Sequence, residues 1–195
     1  HSEEVVMKMP TASVLASTNK RLATKLQASI SNDYFRIYTS SDVIGVEVGA
    51  CLKNVIAIAS GICFGLDMGD NTVAALLSRS LEEIKRIGLF YGADPSTFNG
   101  LSGLGDLVVT AFSKHSRNRM VGIQIAKGKT LDEIKLSGLH AEGISATKIA
   151  YNISQVNDIV MPITEQVYCI LYKDKDPRTG ILELMRRDLV SESAL

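Results

Sequence analysis

The apolar stretch between residues 42 and 64 constrains the fold of this chain more than any other feature. It is apolar nearly all round, and small residues recur through it at Gly45, Gly49, Ala50, Ala57, Ala59 and Gly61. Lys53 and Asn54 interrupt it before it reaches the roughly 20 residues that a membrane helix needs. The pattern is typical of a helix buried at the centre of a bundle.

The chain beyond this stretch is predicted to be helical almost throughout. Asn71 can cap the next helix, and Gly92 ends it. Asp94 caps a short helix that has Pro95 at its first position. Further amphipathic helices are expected at about 102–113, 116–127, 130–136, 142–156, 162–173 and 177–187.

The first 40 residues have a different pattern. TASVLAS and YFRIYTS are predicted strands, and the amphipathic segment between them has Thr18 or Asn19 near its cap. One strand, helix, strand unit is too small to form a wound sheet alone. We therefore predict a mainly α fold, with residues 1–40 as the end of an α/β domain and residues 41–195 as an all-helical domain.

Composition limits the classes of partner. Basic and acidic residues number 21 each, so the net charge favours neither a nucleic acid nor a membrane. The three cysteines stand in apolar sequence and fit reduced, buried thiols in the cytosol. His115 and His140 lack partners at metal-ligand spacing, so no metal site is expected.

Lys53 is the first candidate site residue, because a lysine is seldom buried without a partner. It can reach the surface or pair with an acid such as Glu47. Alternatively, its surroundings make it a base that takes a proton near neutral pH. The sequence favours neither interpretation. Asn54 beside it can face the same cavity.

Asp106 follows two glycines in GLGDL. Locally, the favoured interpretation is that it caps the helix DLVVTAFS. Thr110, four residues later, lies on the same helical face, so the two side chains form a candidate polar pair.

The segment HSRNR is a candidate phosphate site. Ser116 is placed to cap the next helix, whose free N–H groups lie beside Arg117 and Asn118. The Arg117 guanidinium offers a planar set of donors suited to phosphate. A solvated, basic helix start explains the motif equally well. Glu142, in HAEG, can cap a helix or bind a ligand sugar.

Five motifs occur in one order: GVEVGACLKNVIAIASGI, GLSGLGDLVVT, SRNRMVGIQIAKG, AEGISATK and MPITEQVYCILY. Together they resemble the C-terminal half of bacterial-type NAD(P)-dependent glycerol-3-phosphate dehydrogenases. The resemblance implies a helical domain like the C-terminal domain of 6-phosphogluconate dehydrogenase, preceded by the end of a Rossmann domain. It further implies a cytoplasmic oxidoreductase that interconverts sn-glycerol 3-phosphate and dihydroxyacetone phosphate with NAD or NADP. Such an enzyme supplies glycerol 3-phosphate for phospholipid synthesis.

The resemblance also implies roles for particular residues. Lys53 is the general base, and Asp106 holds it in register as the second catalytic residue. The implied substrate ligands are Lys53, Asn54, Asp106, Thr110, Ser116, Arg117 and Asn118. The implied cofactor contacts are Arg117, His140 and Glu142.

Two other interpretations of the function stay open. The chain has no GxGxxG loop, so we expect it to be a fragment with little or no activity by itself. A related hydroxyacid or 6-phosphogluconate-type dehydrogenase is one alternative, and a helical module that binds phosphate metabolites or dimerises without catalysis is the other. The oligomeric state stays open, a homodimer included.

Overall fold

A computed structural model describes residues 2–189 and 191. It begins with a short helix, α1, at Ser2–Val6. Strand β1 (Thr11–Ala16) and strand β2 (Phe35–Ser40) then pair in parallel, joined by helix α2 (Lys20–Ile30). Asn19 caps α2 by accepting a hydrogen bond from the Leu22 N–H. The predicted strand, helix, strand unit is therefore present.

Helices make up the rest of the described chain. The α-helices are α3 Val43–Gly65, α4 Asp70–Phe90, α5 Asp106–Phe112, α6 Arg117–Ala126, α7 Leu131–Leu136, α8 Glu142–Val156, α9 Pro162–Tyr172 and α10 Pro177–Met185. A 3-10 helix (Pro95–Asn99) and a π-helical turn (Leu101–Gly105) lie between α4 and α5. The mainly α fold class is confirmed. The outer ends of the two predicted domains, residues 1, 190 and 192–195, lie outside the described residues.

Most predicted helix ends are confirmed, because local capping chemistry sets them. Asp94 accepts a hydrogen bond from the Ser96 N–H, with Pro95 at the first position. The prediction for Asn71 is wrong. Helix α4 begins at Asp70, so its N-cap is Gly69, two residues before Asn71, and no side chain caps it.

Helix α3 is the centre of the core, as predicted. It packs against α4, α5, α6, α8 and α9, and every residue from Val55 to Cys63 is buried. The prediction that Lys53 and Asn54 leave this stretch too short for a membrane helix is wrong by length and composition alone. Among the described residues it is the single helix long and apolar enough to cross a membrane, and half of its most apolar window is buried in the protein. Such burial is typical of a core helix.

Close approach of α3 and α6 depends on two glycines. A Cβ on Gly61 would lie 2.0 Å from the Arg119 carbonyl oxygen, and one on Gly122 would lie 2.0 Å from that of Ile58. Neither position accepts a side chain unless the helices separate. This contact fixes the start of α6 beside the middle of α3.

A buried acid joins α4 to α9. Glu83 is 1% exposed, and its carboxylate accepts hydrogen bonds from the N–H groups of Ile163 and Thr164 and from the Thr164 hydroxyl. Burial raises the pKa of Glu83 to about 7, although these hydrogen bonds and the charge of Arg86 oppose the rise. We refer to Glu83, Ile163 and Thr164 as the Glu83 cluster.

The cysteines only partly match their prediction. All three thiols are free, and Cys63 is buried, which raises its pKa to about 11. Cys169 is half-buried. Cys51 is exposed, so its prediction as a buried thiol is wrong: it lies in the first half of α3, where buried and exposed positions alternate.

Candidate active site

Lys53 lies where α3 changes from a partly exposed to a buried helix. Its neighbour Leu52 is buried, whereas the Lys53 side chain stays 22% exposed. The ammonium group donates to the carboxylate of Asp106, which lies 53 residues further along the chain. Lys53 is therefore paired with an acid, which was one of the open interpretations. The acid is Asp106 and not Glu47.

Asp106 is the first residue of α5. No side chain caps this helix, so the favoured local interpretation of Asp106 as a cap is wrong. Its carboxylate, 18% exposed, contacts Lys53 instead. The Thr110 hydroxyl lies one turn later and donates to the Asp106 backbone oxygen at 2.7 Å. Lys53 of α3 and Asp106 of α5 thus form a charged pair, and the Thr110 hydroxyl lies one turn further along α5.

The start of α6 has the predicted cap. The Ser116 hydroxyl accepts a hydrogen bond from the Arg119 N–H at 3.2 Å. Arg117 is 60% exposed, and its guanidinium pairs with the carboxylate of Glu142, which is 61% exposed. This ion pair joins the start of α6 to the start of α8 and presents both charges to solvent.

Asn118 differs from its two neighbours because it is 5% exposed. Its Nδ2 donates to Asn54 Oδ1 at 2.9 Å, and its Oδ1 accepts from the Gly143 N–H at 2.8 Å. One amide therefore connects α3, α6 and α8. Sequence reasoning missed Gly143, although its position directly after Glu142 in HAEG was a usable signal.

The structure brings most of the predicted residues into two neighbouring groups. Lys53, Asp106 and Thr110 form the first group, and Arg117 and Glu142 form the second, with Asn54 and Asn118 between them. His140 is exposed in the segment before α8, and its side chain makes no hydrogen bond or ion pair with any described residue. Glu142 begins α8 without capping it.

No cluster of three potential metal ligands occurs among residues 2–189 and 191. The side chains of the site are an ammonium, two carboxylates, a guanidinium, amides and hydroxyls. A lysine held by an acid can move a proton, and a guanidinium at a capped helix start can bind an anion.

Comparison with known proteins identifies the family. A family model described as the C-terminus of NAD-dependent glycerol-3-phosphate dehydrogenase matches residues 42–182. The chain belongs to this family. The match covers the helical bundle from α3 into α10 and includes every candidate site residue.

Curated relatives agree with this family. The chain is 50% identical over 189 residues to a protein of Thermoanaerobacter sp. named glycerol-3-phosphate dehydrogenase [NAD(P)+], with 96% of the chain and 57% of the relative covered. A protein of the same name from Limosilactobacillus reuteri is 50% identical over 194 residues, with 99% and 57% covered. The chain thus spans little more than half the length of these relatives.

Solved structures share the fold. The glycerol-3-phosphate dehydrogenase of Coxiella burnetii superposes with a TM-score of 0.90 at 39% identity, covering 96% of this chain and 58% of that one. The glycerol-3-phosphate dehydrogenase of Saccharomyces cerevisiae gives a TM-score of 0.84 at 26% identity, covering 96% and 57%. The predicted resemblance is confirmed at the level of family and fold.

Proposed function

We propose that this chain supplies the substrate-binding and proton-transfer part of an NAD(P)-dependent glycerol-3-phosphate dehydrogenase. The observation that carries the proposal is the Lys53–Asp106 pair, which lies next to the amides that join α3 to the Arg117–Glu142 pair. An ammonium for the reacting oxygen and a guanidinium for an anion match the two ends of glycerol 3-phosphate.

In this proposal, neutral Lys53 removes the proton of the secondary hydroxyl during oxidation and returns it to the ketone oxygen during reduction. Asp106 orients Lys53, and the side chains of Asn54 and Thr110 contact substrate oxygens. A bound nicotinamide cofactor would supply the hydride acceptor for oxidation and the hydride donor for reduction. Proton and hydride leave the same alcohol, so a C=O bond forms as both depart.

Ser116, Arg117 and Asn118 are the proposed phosphate ligands. Arg117 presents a charged, planar set of donors, and the capped start of α6 adds the positive end of its dipole. Asn118 has one Nδ2 hydrogen left beyond the hydrogen bond to Asn54. Binding the phosphate holds the reacting carbon in place and lowers the entropic cost of the reaction.

Arg117, His140 and Glu142 are the proposed cofactor contacts. The donor set fits the outer part of a dinucleotide, since a guanidinium binds phosphate and a carboxylate accepts hydrogen bonds from ribose hydroxyls. All three side chains are exposed. These residues would hold one edge of NAD or NADP.

We further propose that residues 1–40 are the end of a nucleotide-binding domain and residues 41–195 the substrate domain. Two parallel strands joined by a helix are the repeating unit of a wound sheet, which supports this division. The balanced charge supports a small-molecule partner and not a nucleic acid. The proposed location is the cytoplasm, where the enzyme would supply glycerol 3-phosphate for phospholipid synthesis.

The test joins this chain to the nucleotide-binding domain of a curated relative. The rate of dihydroxyacetone phosphate reduction is measured with NADH and with NADPH for the parent, Lys53→Ala and the exposed control Lys173→Ala. We expect Lys53→Ala to lower kcat by about 10²- to 10⁴-fold, and the control to match the parent. A folded but inert parent would overturn the proposed activity, and full activity of Lys53→Ala would overturn the role of Lys53.

A further inference from the structure

Three consecutive hydrogen bonds begin at the buried start of α8, pass through α6 and end on the partly exposed surface of α3. The Gly143 N–H donates to Asn118 Oδ1 at 2.8 Å, Asn118 Nδ2 donates to Asn54 Oδ1 at 2.9 Å, and Asn54 Nδ2 donates to the Ala50 carbonyl oxygen at 3.2 Å. We call these residues the amide relay. It contains no charged group.

Backbone groups at both ends fix the direction of the relay. A backbone N–H can only donate, so Asn118 must turn its oxygen toward Gly143 and its nitrogen toward Asn54. A carbonyl oxygen can only accept, so Asn54 must turn its nitrogen toward Ala50. Both amide orientations follow from the backbone, and an aspartate at position 118 could not donate to Asn54.

The relay also replaces a missing cap. Ala141 occupies the N-cap position of α8 and has no side-chain acceptor, so the first N–H groups of the helix need a partner from elsewhere. Asn118 supplies that partner from α6. The position of α8 therefore depends on a residue that follows Arg117 directly.

Sterics make the contact specific. A Cβ on Gly143 would lie 2.5 Å from the Asn54 carbonyl oxygen and 2.7 Å from Asn118 Oδ1, so α8 approaches α3 as closely as only glycine permits. Gly69 provides a contrast, because a Cβ there would meet nothing within 4 Å.

Three of the four relay residues directly follow a site residue: Asn54 follows Lys53, Asn118 follows Arg117, and Gly143 follows Glu142. We propose that the amide relay is a positioning device that holds the proton-transfer group, Lys53, at a fixed distance from the Arg117–Glu142 pair. Asn118 then acts mainly through α3 and α8, in addition to any direct contact with phosphate. The kinetic part of this proposal rests on the proposed function.

Gly143→Ala is the sharpest test. Gly143 has no side chain, its N–H donates to Asn118 and its carbonyl oxygen accepts from the Thr147 hydroxyl, so the substitution removes no side-chain contact with substrate. We expect kcat in the two-domain enzyme to fall at least tenfold with KM changed less, because a displacement of about 1 Å can cost about 10²-fold in rate. Gly69→Ala is the matched control and should keep the parental kcat. Parental kcat in folded Gly143→Ala would overturn the proposal.

A second variant leaves α8 sterically unchanged. Asn54→Ala removes the acceptor that holds Asn118 Nδ2 against α3, and we expect hydrogen exchange of the Gly143 amide to accelerate at least tenfold by NMR of the present chain. In the two-domain enzyme, kcat should fall at least tenfold, in addition to any rise in KM from the lost contact of Asn54 with substrate. Unchanged exchange, or a raised KM at parental kcat, would show that Asn54 is at most a ligand and would overturn the positioning role.

The exchange measurement separates this inference from the proposed function. If the parent enzyme is inert, the proposed function fails and the relay is judged by exchange alone. Faster Gly143 exchange in Asn54→Ala then supports the coupling of α3 to α8, and unchanged exchange overturns it.

Discussion

The Glu83 cluster and the Lys53–Asp106 pair are two charged groups on neighbouring helices of one bundle, and their surroundings differ. The Glu83 carboxylate is 1% exposed and accepts three hydrogen bonds. Lys53 and Asp106 keep 22% and 18% of their side chains exposed, and each finds one side-chain partner among the described residues. The first group is saturated with partners, whereas the second retains free donors and acceptors.

This difference separates a structural charge from a chemical one. A buried polar group that lacks a partner is costly, so a structural acid collects all the donors it needs. A group that must bind a ligand has to leave hydrogen-bonding capacity unused in the free protein. Exposure and the number of partners together therefore distinguish the two roles in this bundle.

Removing Glu83 should give the largest loss of stability. Glu83→Ala leaves the Ile163 and Thr164 N–H groups unpaired at the start of α9, and we expect the free energy of unfolding to fall by about 4 kcal/mol. Glu82→Ala, on the same helix, breaks only the Lys85 pair and should cost under about 0.5 kcal/mol. Urea denaturation measures both. Equal losses would remove the distinction between the two kinds of charge.

The Glu83 cluster should also make stability depend on pH. Burial raises the pKa of Glu83 from 4.5 to about 7 in the folded protein. The contribution of Glu83 to the free energy of unfolding is therefore full below about pH 4.5 and is lost as pH rises through 7. The expected loss is about 3 kcal/mol. Glu83→Gln should lack this component, and urea midpoints at pH 5 and pH 8 compare the two proteins. Parallel pH dependences would contradict the assignment.

The Lys53–Asp106 pair should show the opposite balance of effects. Because both side chains are partly exposed, Asp106→Asn should change the free energy of unfolding by less than about 1 kcal/mol. Its loss should nevertheless lower kcat of the two-domain enzyme at least tenfold, since Lys53 loses its orienting partner. Paired urea and rate measurements on one preparation check this. A large loss of stability with parental kcat would place Asp106 among the structural charges.

A local cap should contribute modestly to stability. Ser116→Ala removes the acceptor for the Arg119 N–H, and we expect a loss of about 1 kcal/mol in the free energy of unfolding. Under the proposed function, KM for dihydroxyacetone phosphate should also rise. Ser116→Asp would restore the cap while repelling phosphate, so recovered stability with a still higher KM would separate the two roles of Ser116.

Local features of the fold were predictable. The bounds of α8 were predicted without error, and those of α6, α7 and α9 within one residue. Caps such as Asn19, Asp94 and Ser116 act over two or three residues, so the sequence contains all that defines them. The prediction for Asn71 is wrong because α4 begins after Gly69, two residues earlier, without any side-chain cap that the sequence could reveal.

Long-range pairings in the candidate site were not predictable. Lys53 and Asp106 were both identified as candidates. Local preference nevertheless predicted that Asp106 caps a helix and that Lys53 can pair with Glu47. Glu83 was missed, although it lies three residues after buried Ser80 on the inward face of α4. The burial of Glu83 could be predicted only from the tertiary structure, because its hydrogen-bond donors lie at the start of α9.

The sequence by itself determined where helices begin and end, which helix is central and which family the motifs resemble, because these depend on local capping, on apolar periodicity and on residues in a fixed order. Only the tertiary structure decided which charged and polar side chains contact each other. Partners such as Lys53 and Asp106, or Asn118 and Gly143, are far apart in sequence, and they meet because the packing of α3 against α5, α6 and α8 sets the distances between them.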